Sequence, residues 1–212
     1  IGLFFFGWAV LCEKFAVGNV CYALIGAAIP LMISGGFHVD GYMDTMDAFH
    51  SYQSREKKLE ILKDSHIGAF AAIMLALYYM IDIAAISEIH TQKAVSAVAA
   101  VFFLARCFSG IAVMTLQPAK KEGLLYTFAS SAQKVMVKAA LYFQTVLCVV
   151  LMLLVSGWYG AAAIGAVLLS FFYFKKKSYK ELGGITGDTA GFFVTVCEAA
   201  AAAAVAVAGY FL

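Results

Sequence analysis

The stretch GGFHVDGYMDTMDAFH, residues 35–50, spaces Asp40, Asp44 and Asp47 at i, i+4 and i+7. In a helix that spacing places all three carboxylates on one face. Charges so close repel, more strongly as water is withdrawn, and a cation relieves the repulsion. Donors that are all oxygen suit Mg²⁺, Mn²⁺ or Ca²⁺ rather than zinc, and Mg²⁺ usually takes one or two carboxylates while substrate phosphates fill other positions. The bland alternative is a solvated acidic loop. Its surroundings argue against it: Gly35, Gly36 and Gly41 permit close backbone approach, and the basic segment SREKKLEILKD follows. An EF-hand is a poor fit, since its loop wants acids at alternate positions and a glycine at the sixth. His38 and His50 flank the acids and suit hydrogen bonding or substrate contact better than ligation.

A second stretch, KKKSYKELGGITGDTAG at 175–191, joins a basic run to Gly183, Gly184, Thr186, Gly187 and Asp188 just ahead of an apolar segment. Backbone N–H groups of glycine-rich turns and of a following helix start hold phosphate oxygens. It matches no Walker pattern, so its meaning depends on whether it shares a membrane face with the aspartates.

The elements that must position these motifs are membrane spans. The chain of 212 residues is 63% hydrophobic and 13% charged, with a mean hydropathy of +0.87, far from a soluble composition. A crossing of about 30 Å of hydrocarbon needs roughly 20 helical residues, and the runs 15–34, 69–88, 94–116, 137–156, 158–174 and 190–212 qualify. The opening run, 1–12, is too short to span alone. The expectation is therefore an all-α, polytopic integral membrane bundle of six to seven transmembrane helices, a single transmembrane catalytic domain over 1–212 with motif loops at 34–68, 117–137 and 175–189. A barrel is excluded by the lack of alternation in AAIMLALYYMIDIAAI and AVSAVAAVFFLA. No cleavable leader is expected, and natural residues are expected ahead of Ile1.

Those three loops and their flanks hold 12 of the 15 basic residues, among them Arg55, Lys63, Lys120, Lys121 and Lys177. By the bias of basic residues, that side faces the cytoplasm, and both motifs share it. Cys12, Cys21, Cys107, Cys148 and Cys197 all lie in apolar runs without metal spacing and are expected to pack as small apolar residues. Asp82, Arg106 and Glu198 fall inside predicted spans, where charge is costly and faces a polar interior. Arg106 either reaches an anionic substrate or pairs with Glu198 or Asp82; Asp82 is expected to be structural and nearer the other face. The alanine-rich last span admits close helix approach and homo-oligomer formation.

GGFHVDGYMDTMDAF, SREKKLEILKDSHIGAF and LGGITGDTAGFFVTVCEAA together resemble the cobalamin synthases, the integral membrane adenosylcobinamide-GDP ribazoletransferases. The resemblance runs from about Ser34 to Ala200. Gly35, Gly36, His38, Asp40, Gly41, Asp44, Asp47, Lys63, Asp64, Ser65, Gly68, Gly183, Gly184, Thr186, Gly187 and Asp188 match the family pattern. Ala48 stands where glycine is usual, and His66 and Lys120 stand where arginine is.

The resemblance implies that α-ribazole, or its 5'-phosphate, displaces GMP from adenosylcobinamide-GDP, giving adenosylcobalamin or its 5'-phosphate. On that basis Asp40, Asp44 and Asp47 hold Mg²⁺, with Mn²⁺ as the alternative, and Asp64 and Asp188 are further ligands. One carboxylate or His38 accepts the ribazole hydroxyl proton. Arg106 and the loop lysines stabilise the departing GMP, and Lys63, Gly183, Gly184, Thr186 and Gly187 contact substrate. The expected partners are these substrates and the lipid bilayer, with no nucleic acid. The expected location is a bacterial or archaeal cytoplasmic membrane, with the site facing the cytoplasm.

Rival classes fit less well. A prenyltransferase would carry paired aspartate motifs, but the second motif has only Asp188. A CDP-alcohol phosphotransferase would read D-x-x-D-G-x-x-A-R, but here glycine follows the first aspartate and Ala105–Arg106 lies far away. A cation-coupled transporter would place its acids near the midplane on broken helices, and no broken pair is evident in the sequence.

Overall fold

A computed structural model describes residues 1–119 and 134–211; Lys120, Lys121 and the rest of the expected loop to residue 133 lie outside the described residues. Among the described residues there are nine helices: α1 (Gly2–Lys14), α2 (Asn19–Ser34), α3 (Phe37–His50), α4 (Arg55–Ile61), α5 (Ala69–Ile86), α6 (Gln92–Thr115), α7 (Lys134–Ser156), α8 (Trp158–Leu182) and α9 (Gly187–Gly209). The one β feature described is an isolated parallel bridge between Pro118 and Ile185.

Helices α5 to α9 are each long and apolar enough to cross a membrane; even the 18 residues of α5 rise about 27 Å. The helix α9 is central. In its most apolar stretch 72% of residues are buried, against 17% for α7, and it packs on α8, α3, α6 and α5. Within the chain, Ala201, Ala202 and Ala206 of this helix are buried. Small side chains let several helices approach one axis. Phe192, Phe193 and Phe174 fill the remaining volume with tilted and edge-on ring contacts.

Three boundaries differ from the sequence expectation. The run 15–34 is not one straight span: α1 ends at Lys14, α2 restarts at Asn19, and its 16 residues rise only about 24 Å. It is long and apolar enough to cross only when taken together with α3, from which it is bent by 96°. A broken pair is therefore present, and its cause is local. Gly35 (φ +63°) and Gly36 (φ +81°) both adopt the left-handed conformation, which glycine tolerates without steric cost.

The acid motif, expected in a loop, is helical over Phe37–His50 because Tyr42, Thr45 and Phe49 recur at helical spacing and are buried. Likewise α8 does not stop at residue 174 but continues through the basic run to Leu182. Phe174, Ser178 and Leu182 extend its buried stripe by i, i+4 steps, and lysines near a helix C-terminus oppose its dipole favourably.

Candidate functional site

The site is assembled where α3 lies along the first turns of α9. A Cβ added at Gly41 would sit 2.8 Å from the Asp188 carbonyl oxygen, and one at Gly191 would sit 3.0 Å from the His38 carbonyl oxygen. Glycine at both crossings lets the two backbones touch. Tyr42 stacks on Phe192 at 5.9 Å and donates its hydroxyl to the Met74 carbonyl at 3.0 Å, tying α3 to α5 as well. Thr195 donates to the His38 carbonyl at 3.2 Å.

This packing brings Asp188 of the second motif to the acids of the first: the charged neighbours of Asp44 are Asp40, Asp188 and Asp47. Against α9, His38 lies level with Gly191 and Thr195 and counts Arg106 as its charged neighbour. Gly41, next to Asp40, lies level with Asp188, and Asp44 and Asp47 follow along α3 at a rise of about 1.5 Å per residue. The Nδ1 of His38 is buried without a hydrogen-bond partner among the described residues.

Thr186 caps α9, accepting the Thr189 N–H at 3.1 Å in a reciprocal capping box, and its hydroxyl reaches Asp188 Oδ2 at 3.4 Å. The cap both starts the helix and orients the aspartate.

Asp47 has a second task that its spacing does not reveal. Its carboxylate accepts the Gly68 N–H at 2.6 Å and the Ala71 N–H at 2.9 Å, so it caps α5 from a different helix. Gly68 is the α5 N-cap residue and has no side chain to do this. Asp64 does not join the cluster. It stands on an exposed turn, where His66 approaches with Nδ1 at 2.6 Å and donates its backbone N–H at 3.1 Å. The ring and the backbone N–H hold the Asp64 carboxyl below its ordinary range, and Asp64 raises the imidazole. Lys63 is exposed at the end of the same segment.

Arg106 pairs with Glu198 at 2.6 Å and also donates to the Phe102 carbonyl at 2.6 Å, so of the two roles open to it the structural one is made. A groove of about 510 Å³ beside α1, lined by Phe4, Phe6 and Phe103, reaches it. Asp82 is buried with Glu198 as its charged neighbour.

On the other side of the cluster, the turn after α8 is clamped. Ala119 N–H donates to Ile185 O at 2.8 Å, Ile185 N–H to Gln117 O at 3.0 Å, and Gln117 N–H to the Tyr179 hydroxyl at 2.8 Å. A Cβ at Gly184 would lie 2.6 Å from Gln117 O, whereas the space beside Gly187 is open. The sequence counted Arg55 only as one loop cation. The structure sets its guanidinium directly on Gly183, where a Cβ would overlap it. Nothing in the local sequence signals this contact, which crosses 128 positions.

Asp40, Asp44 and Asp188 offer only carboxylate oxygens, the donor type that hard divalent cations take. Among the described residues no group of three or more acid, histidine or cysteine side chains is placed so that it could hold a metal ion.

Fold and site together define a polytopic helical membrane protein whose carboxylates, drawn from two helices, meet at the end of the central helix. The model of the cobalamin-5-phosphate synthase family matches residues 1–206. The chain belongs to the cobalamin-5-phosphate synthase family. It is 41% identical over 208 residues to the adenosylcobinamide-GDP ribazoletransferase of Lachnoclostridium phytofermentans, covering 98% of this chain and 79% of the relative. It is 35% identical over 174 residues to the enzyme of that name from Clostridium botulinum strain Eklund 17B, covering 80% and 68%. No solved structure matches.

Proposed function

We propose that this chain transfers the cobinamide phosphate of adenosylcobinamide-GDP to α-ribazole or α-ribazole 5'-phosphate, releasing GMP and giving adenosylcobalamin or its 5'-phosphate. The observation that carries this reading is the convergence of Asp188 with Asp44, Asp40 and Asp47, in a family whose relatives are named for that transfer. The ribazole hydroxyl oxygen bonds to the cobinamide phosphorus, and the bond from that phosphorus to the GMP oxygen breaks. GMP leaves with the electron pair, and the hydroxyl proton passes to a base.

Asp40, Asp44 and Asp188 would hold Mg²⁺, with Mn²⁺ as substitute; when bound, the ion neutralises diphosphate charge during an in-line displacement. Asp47 contributes charge while fixing the start of α5. Between His38 and a carboxylate, His38 is favoured as proton acceptor by its unpartnered Nδ1. The turn Gly183–Gly187 and Lys63 face the anionic part of the substrate. The bias of basic residues supports a site open to the cytoplasm of a bacterial or archaeal cell.

The test is GMP release from adenosylcobinamide-GDP and α-ribazole by the detergent-purified chain. Turnover is expected to vanish in EDTA and return with Mg²⁺. Asp44→Ala is expected to lower kcat by about 100-fold or more with the fold retained. A folded Asp44→Ala protein with near-normal turnover would refute the carboxylate assignment.

A further inference from the structure

We propose that Arg55 is a phosphate-binding residue that closes the diphosphate site over the Gly183–Gly184 turn, held there by the buried Lys58–Glu181 ion pair; this rests on the reading of the substrate as a nucleoside diphosphate ester. Arg55 is exposed at the first position of α4, and among the described residues its guanidinium has no ion-pair partner. Yet its placement is constrained. One helical turn on, Lys58 is 7% exposed and bonds Glu181 at 2.5 Å. Glu181 also receives Lys177 at 3.2 Å, and Lys177 in turn lies 5.4 Å from the centroid of the Phe49 ring on α3.

A lysine is rarely buried unless it is paired, so this contact fixes α4 against the end of α8 at considerable desolvation cost. Its geometric result is that Arg55 stands on Gly183, a left-handed glycine (φ +72°) with no side chain to separate guanidinium from backbone. The turn then runs through Thr186 to Asp188 in the acid cluster. A planar fork of donors thus lies at one end of a short turn and carboxylates at the other. Such a pair would suit a metal-bound diphosphate, the guanidinium holding phosphate oxygens and the acids holding the cation.

The probe is GDP in Mg²⁺ buffer, titrated calorimetrically into the detergent-purified full chain, with guanosine as the phosphate-free control. Arg55→Ala is expected to weaken GDP binding about tenfold and to raise KM for adenosylcobinamide-GDP equally. Its kcat and Tm are expected to stay near the parent's. Arg55→Lys recovers part of the affinity, because charge returns without the fork. Replacing the anchor with an apolar pair, Lys58→Met with Glu181→Leu, shifts KM in the same direction, and adds nothing further when Arg55 is already alanine.

Arg55→Ala binding GDP within about twofold of the parent overturns the proposal, as does a parent chain with no GDP affinity. So does a loss of affinity that comes with a large fall in Tm, the signature of an arginine that merely pins the end of α8. GDP binding that depends on Arg55, without any GMP release from adenosylcobinamide-GDP, leaves Arg55 as a phosphate ligand and removes the substrate assignment instead.

Discussion

Asp44 and Asp47 look equivalent in the sequence, but their partners predict different mutant behaviour. Asp47 bonds two backbone N–H groups of α5, so Asp47→Ala should cost about 1–2 kcal/mol of stability, the worth of a helix cap, visible as a lower Tm in detergent. Asp44 has acids as its charged neighbours, so Asp44→Ala should hold or raise Tm while abolishing turnover. The exposed Asp64–His66 pair predicts a pH window. The lowered Asp64 carboxyl contributes above the ordinary carboxylate value of about 3.9 and loses its contribution as pH falls through the lowered value. The raised His66 contributes fully below about 6.5 and loses it as pH rises through the raised value. The pair is therefore intact between the lowered carboxyl value and the raised imidazole value. An NMR titration should place the His66 midpoint above its ordinary value, and Asp64→Asn should return it there.

At the scale of elements, the α3–α9 contact makes the site, and Gly41 is its closest point. Gly41→Val would drive side-chain atoms into the Asp188 backbone, costing about 1–3 kcal/mol by overpacking. Separating the two motifs by even about 1 Å should lower turnover about 100-fold; normal turnover in a folded Gly41→Val protein would contradict this. The ion pair between α6 and α9 makes a different prediction. Arg106→Met alone leaves Glu198 buried and unpaired, at a cost of about 3–5 kcal/mol, whereas Arg106→Met with Glu198→Leu should restore most of that stability. Chemical denaturation of the three proteins would resolve the difference.

At the scale of the whole molecule, α5 to α9 alternate in direction. Tyr210 bonds Glu88 at 2.8 Å at one end, while Pro118 bridges Ile185 at the other. The basic motif end should be cytoplasmic, so a cysteine placed at Lys63 should react with an impermeant maleimide only in inside-out vesicles, and one at Glu88 only in intact cells. Composition and run length alone determined that the chain is a helical membrane protein and where five of its long helices lie, because lipid forces every spanning segment to satisfy its own backbone bonds. The i, i+4, i+7 acids and the family motifs marked both halves of the site for the same local reason: helical spacing is written in neighbouring residues.

Other features were not legible because they depend on residues far apart in the chain. The glycine pair at 35–36 suggested close approach but not a 96° bend that returns the acids alongside α9. Asp47 gave no sign that its oxygens would serve Gly68 and Ala71, nor Arg55 that it would rest on Gly183. The side-chain types and their periodicity are local properties of the chain; which carboxylate caps a foreign helix and which stays free for chemistry is decided only when packing brings distant backbones together.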